Sequence, residues 1–117
     1  KLYECYNAVG NGGLSLRKTS TFCDVLTMPQ TQPILDIYKD LLRTDTLYNE
    51  DIFWSVEAPH ILSNFSKPEW KEALSFAIET HPRYSMNINR GELPFGCHAP
   101  LVYDPDFWKE YIPLLKD

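Results

Sequence analysis

Few side chains in this sequence have the types and spacing that chemistry requires. The first candidates are the adjacent carboxylates Glu50-Asp51, followed by Ile52, Phe53 and Trp54. Neighbouring carboxylates at a helix start point in different directions, so one can cap while the other faces a cleft. A carboxylate beside an apolar cluster can serve as a general base if its pKa lies above the usual value near ~4. The same residues have a complete structural explanation. Asn49 ahead of two acids and an apolar group reads as an N-cap with acids in the first turn, which stabilises a helix by about 1 kcal/mol. The second candidate is His98, carried in Pro94-Phe95-Gly96-Cys97-His98-Ala99-Pro100 with little bulk to shield it. A lone histidine is most often a hydrogen-bonding group. It becomes a ligand when a carboxylate from elsewhere shares a metal with it.

The third candidate is Val9-Gly10-Asn11-Gly12-Gly13-Leu14-Ser15-Leu16-Arg17, which holds three of the five glycines within four positions. Glycine lets a backbone or ligand approach closely, at roughly 0.5–1 kcal/mol relative to Ala. The stretch reads either as a Gly-rich turn before a strand, Leu14–Arg17, or as one wall of a site. Other pairings are weaker. Ser15 lacks the following Gly of a nucleophile elbow, and Cys97 and His98, as loop neighbours, would rarely face each other. Asp104-Pro105-Asp106 has a D-x-D look but immediately precedes a helix, where capping explains it.

Several elements must position these groups. Phe22, Val25 and Leu26 suit a short helix within Lys18–Leu26, capped by Thr19 or Ser20. Ile34, Leu35, Tyr38, Leu41 and Leu42 predict a helix from Pro33 to Arg43. A short helix is predicted over Glu50–Val56. Ser66-Lys67-Pro68-Glu69 reads as a capping box, opening a helix whose face is Trp70, Ala73, Leu74, Ala77 and Ile78 and which ends near Thr80. Asn64-Phe65-Ser66 matches a glycosylation pattern that is common by chance. Arg83–Leu93 reads as a polar loop with room for a short strand, and Phe107–Leu115 as a final helix.

Bulk properties limit the function classes. With 117 residues the chain is one domain, its 44% hydrophobic and 23% charged content is that of a globular protein, and its net charge of −5 argues against nucleic acid as a partner. Seven Tyr, six Phe and three Trp are a generous aromatic share, serving cores first and sugar or base sites second. No apolar stretch approaches the ~18 residues of a membrane span, and no signal-peptide pattern is present. Cys5, Cys23 and Cys97 lack CxxC spacing, and with His60, His81 and His98 they offer no zinc-finger spacing. An odd cysteine set points away from a disulfide framework and toward a reducing, cytoplasmic compartment.

Three segments in order resemble a known family. Gly10-Asn11-Gly12-Gly13-Leu14-Ser15-Leu16-Arg17, Asn49-Glu50-Asp51-Ile52-Phe53 and Pro94-Phe95-Gly96-Cys97-His98 resemble the motifs of a family of uncharacterised glycosyltransferase-like domains. A more distant likeness is to the β-1,4-galactosyltransferases. The resemblance implies an α/β fold, the C-terminal portion of a GT-A-like nucleotide-diphospho-sugar transferase, helix-rich with a few short strands. It implies Asp51 as the base that deprotonates the acceptor hydroxyl. His98 would be a ligand of a divalent cation, Mn or Mg, and Gly12, Gly13, Asn49 and Glu50 would line or contact the substrates. The implied partners are a nucleotide-sugar donor and a glycan or other hydroxyl acceptor. Because the chain starts at Lys1 without a D-x-D strand, the nucleotide-binding half is expected upstream. Two alternatives remain: a non-catalytic carbohydrate-binding or interaction module, and a glycosidase needing a second acid near Asp51.

Overall fold

The computed structural model describes residues 9–10, 13–46 and 48–115. The chain divides into two compact units, Lys1–Lys67 and Pro68–Asp117, and each has its own apolar core.

The first unit is helical. Helix α1 spans Thr19–Thr27 and α2 spans Thr31–Leu41. Lys18, not Thr19 or Ser20, holds the N-cap position of α1, and its side chain makes no capping bond. The tight connection between α1 and α2 is fixed by two bonds from Thr31. Its amide donates to Met28 O at 3.0 Å, and its buried hydroxyl donates to Val25 O.

The third helical stretch is longer than its sequence suggests. It runs as α3 (Glu50–Ile52), a π-helical turn (Phe53–Glu57) and α4 (Ala58–Ile61), where the local pattern predicts an end at Val56. Pro59 accounts for the wide turn. A proline inside a helix has no N–H to donate, and its ring crowds the carbonyl four residues back, which here is Ser55. Widening the ladder relieves that crowding: the Ala58 N–H reaches Phe53 O, five residues back. The Ser55 carbonyl instead accepts a hydrogen bond from Lys67 Nζ at 2.5 Å. Val25, Tyr38, Phe53, Ala58 and Ile61 form the buried core of this unit. Tyr38 OH donates to Glu57 at 2.9 Å, tying α2 to the π turn.

The second unit is a small β-α-β arrangement with further helices. Helix α5 covers Trp70–Phe76 and β1 covers Ala77–Ile78; α6 is Pro82–Ile88, β2 is Gly96–Cys97, α7 is Pro105–Trp108, and Pro113–Leu115 closes as a 3-10 turn. The two strands pair in parallel, Ala77 opposite Gly96 and Ile78 opposite Cys97. Four sequence expectations are corrected here. The capping box does not form, because Glu69 takes the N-cap position of α5 without a side-chain bond. The helix predicted to reach Thr80 stops at Phe76, since Ala77 and Ile78 are drawn into strand pairing. Residues read as a loop after Arg83 fold as α6, with Pro82 in its first turn and Met86 buried. The final helix, predicted over Phe107–Leu115, is instead the short α7 followed by the 3-10 turn. Ile78, Met86, Phe107 and Trp108 make the core of this unit.

The described residues are therefore helix-rich with two short strands. No helix among the described residues is long and apolar enough to cross a membrane.

Candidate functional site

The first unit brings two of the sequence motifs together. The Arg17 guanidinium is hydrogen-bonded and ion-paired with the Glu50 carboxylate across 33 residues of sequence, and its Nε donates to Ser15 Oγ at 3.0 Å. The same guanidinium lies 5.4 Å from the Phe22 ring centroid, within cation–π range. Gly10 makes the second link. A Cβ on it would stand 3.2 Å from Asp51 O and 3.3 Å from Ser55 Cβ. Gly10 thus lies against the first turns of the α3 stretch, closer than a residue with a Cβ could come without a neighbour giving way.

Leu14–Arg17, predicted as a strand, is not one. Its residues carry no strand assignment, the strands among the described residues being β1 and β2, and Leu16 is 87% exposed. The Arg17 side chain ties it to Glu50.

At the head of α3, Asn49 acts as the predicted N-cap. Its Oδ1 accepts the Ile52 N–H at 3.1 Å and its Nδ2 donates to Thr46 O at 3.0 Å. Asp51 is half-buried in the first turn, and its carbonyl accepts the Ser55 hydroxyl at 2.5 Å. Gly13 is exposed, whereas Gly12 and Asn11 lie outside the described residues, as does Cys5. Beside Asn49 and Glu50 a shallow groove of about 260 Å³ is floored by Tyr38, Tyr48, Phe53 and Trp54. The aromatic floor is continuous with the core: Phe53 meets Trp54 edge-on at 4.9 Å, and Trp54 meets Phe22 at 4.2 Å.

The second unit places His98 directly after β2. Its backbone N–H donates to Ile78 O at 3.0 Å, one of the bonds of the Ile78–Cys97 pair. Its Nδ1 lies 3.1 Å from Glu79 Oε1, and Glu79 directly follows β1. Both side chains are about one-third exposed, 39% and 34%. The C-terminal ends of parallel strands are where open α/β sheets bind ligands. Metal-bound histidines commonly give their second ring nitrogen to a carboxylate, and hydrogen-bonded histidines without a metal do the same. Among the described residues no three His, Cys, Asp or Glu side chains gather to hold a metal, so further ligands would have to come from a substrate phosphate or from residues beyond the described set.

Cys97 does not share a site with His98. It packs into the core of the second unit, and burial pushes its thiol above the ordinary value, away from the reactive thiolate. Cys23 and Cys97 are free thiols, the first exposed. Asp104 and Asp106 have the expected structural roles. Asp104 caps Phe107 N–H at 3.1 Å and pairs with Arg83 at 2.7 Å, while Asp106 pairs with Lys109 at 3.0 Å.

Sequence reasoning assigned no role to Arg17 or Glu79. Arg17 stands inside the Gly-rich motif but gains its meaning from a distant carboxylate. Glu79 has no local signal, because its strand is two residues long. Searches of curated proteins and of solved structures find no match for the chain. A family model described as Protein of unknown function (DUF5672) matches residues 1–98, a span that takes in all three motifs and ends on His98, and the chain belongs to that family.

Proposed function

We propose that this chain is the acceptor-side, C-terminal part of an inverting, cation-dependent glycosyltransferase of GT-A type. The observation that supports it is the convergence, within the first unit, of the Gly-rich segment on Asn49-Glu50-Asp51 through Arg17–Glu50 and the close approach of Gly10. A structural N-cap would need only Asn49; it has no use for a glycine backbone held against the carboxylate-bearing turn.

In this reading Asp51 takes the proton of the acceptor hydroxyl as that oxygen bonds to the anomeric carbon of the donor sugar. The bond from that carbon to the diphosphate oxygen breaks, and the nucleoside diphosphate leaves. A divalent cation held in part by His98 would offset the charge on that diphosphate. Gly12 and Gly13 let the sugar lie close to backbone. Glu50 fixes Arg17, and together they set the polar edge of the site.

The test is Asp51→Asn in the full-length protein, assayed for sugar transfer from a panel of nucleotide-sugars. The expected result is a loss of about 10²–10⁴-fold in kcat with donor binding retained; wild-type turnover would refute the base assignment. The aromatic groove beside Asn49 favours a second reading, a carbohydrate-binding module without catalysis. That reading requires sugar binding without turnover and no dependence on a cation.

A further inference from the structure

We propose that Arg17 binds the departing diphosphate and offsets its charge from within the first unit, an inference that rests on the reading of Asp51 as the base. The guanidinium is held on three sides. Its Nη2 donates to the Glu50 carboxylate, its Nε donates to Ser15 Oγ at 3.0 Å, and its central carbon lies over the Phe22 ring, 5.4 Å from the centroid. A guanidinium has five N–H groups, and one on Nε and one on Nη2 are engaged in this way. The others, on Nη1 and Nη2, make no hydrogen bond to the described residues, and the side chain is 32% exposed. A planar fork oriented by its neighbours, with its outer edge open, matches phosphate oxygens two at a time.

Position makes the diphosphate the anion in question. Glu50, which orients Arg17, is the sequence neighbour of Asp51, and Gly10 packs against the Asp51 carbonyl. Successive helical residues point about 100° apart, so the guanidinium held by Glu50 and the Asp51 carboxylate occupy different sides of one turn. In-line displacement requires such a separation. The base takes the acceptor proton on one side of the anomeric carbon, and the leaving group departs on the other. As the carbon–oxygen bond breaks, its electron pair stays on the diphosphate oxygen. Arg17 gives up no proton and offsets that charge with N–H groups already in place. Glu50 sets their orientation and, being an anion itself, weakens the attraction. A plain surface tether would add at most about 1 kcal/mol to folding and would bind no anion.

The experiment titrates the full-length protein calorimetrically with inorganic pyrophosphate in EDTA, so that no divalent cation contributes. The wild type should bind, and Arg17→Ala should weaken binding about 10–100-fold, the range for hydrogen bonds to charged groups. Arg17→Lys keeps the charge without the planar fork and should fall between the two. Glu50→Gln keeps an acceptor for Arg17 but removes the opposing charge, so it should bind pyrophosphate at least as tightly as wild type. Arg83 is the control: it too is paired with a carboxylate and lies 5.4 Å from a ring centroid, that of Phe107, and Arg83→Ala should leave the affinity unchanged. Circular dichroism checks that each variant keeps the fold. If Arg17→Ala binds as the wild type does, or if the wild type binds none, the role of Arg17 is overturned, while the transferase reading is still judged by the turnover of Asp51→Asn. If Arg83→Ala is as damaging as Arg17→Ala, the attraction is diffuse and the assignment is likewise overturned. If binding requires Arg17 but the wild type turns over no nucleotide-sugar, the transferase reading falls and the role of Arg17 in group transfer falls with it.

Discussion

Arg17 and Glu50 form a surface pair, with side chains 32% and 58% exposed, so its contribution to folding is small, within about 1 kcal/mol. Its contribution to a site is a different quantity. If Arg17 is held in place for substrate, removing either partner removes the same interaction. A double-mutant cycle of Arg17→Ala and Glu50→Ala should then be strongly non-additive in kcat/KM, with the double variant little worse than either single one. Thermal midpoints should barely move. Additive losses in kcat/KM would separate the two residues.

A second residue-scale test concerns Asp104, whose carboxyl is held below its ordinary value, chiefly by the hydrogen bond from Arg83 and also by the Phe107 N–H. A group whose folded pKa is depressed stabilises above its unfolded value, near ~4, and loses that contribution as pH falls through the folded value. Asp104→Asn keeps a capping oxygen and tolerates the left-handed backbone at φ 57°, but removes the charge. The variant should be somewhat less stable than wild type at pH 7, and the gap should close toward pH 3. Urea midpoints at the two pH values check this; a gap that persists at pH 3 would assign the loss to capping instead.

At the scale of elements, the π turn and Lys67 act together. The Ser55 carbonyl takes its bond from Lys67 because Pro59 has none to give. Removing that ammonium with Lys67→Met should cost roughly 1–3 kcal/mol, the usual penalty for stranding a part-buried acceptor. Pro59→Ala restores an N–H four residues beyond Ser55, so in that background the same Lys67 change should cost less. Chemical denaturation of the four proteins measures the difference, and equal costs in both backgrounds would disconnect Pro59 from the wide turn.

The helix ends show which elements the sequence reveals. The caps at Asn49 and Asp104 are local, three-residue relations, and both form as their residue types demand. Ala77 and Ile78 also fit the face of the preceding helix, so the pattern alone cannot tell where that helix stops. What stops it is Gly96 and Cys97, far along the chain. The apolar residues of α6, Tyr84, Met86 and Ile88, alternate instead of recurring at helical spacing, and its N-cap, His81, supplies no side-chain bond.

Over the whole molecule, two separate apolar clusters support a chain of 117 residues. Cores of this size leave a margin of only about 5–15 kcal/mol. Phe53 is 3% exposed at the centre of the first cluster, and Phe53→Ala should cost about 3–5 kcal/mol. A urea midpoint close to wild type would mean that this ring is not central to the unit. The same residue floors the groove beside Asn49, so stability and site share one side chain. Composition reports the aromatic supply that makes this possible. It does not report the convergence of Gly10, Arg17, Glu50 and Asp51, which depends on contacts between distant segments.

The brevity of the strands has a consequence for how this chain can vary. Successive strand residues face opposite sides, so β2 sets a phase: Cys97 points into the core and His98 turns toward Glu79. Residues 89–93 precede that phase marker and can gain or lose length without disturbing it. A single-residue deletion at Phe95 or Gly96 would instead exchange the two, sending the imidazole inward and the thiol out. Natural variants of this fold should therefore differ in length before Pro94 and hold strict spacing from there to the histidine.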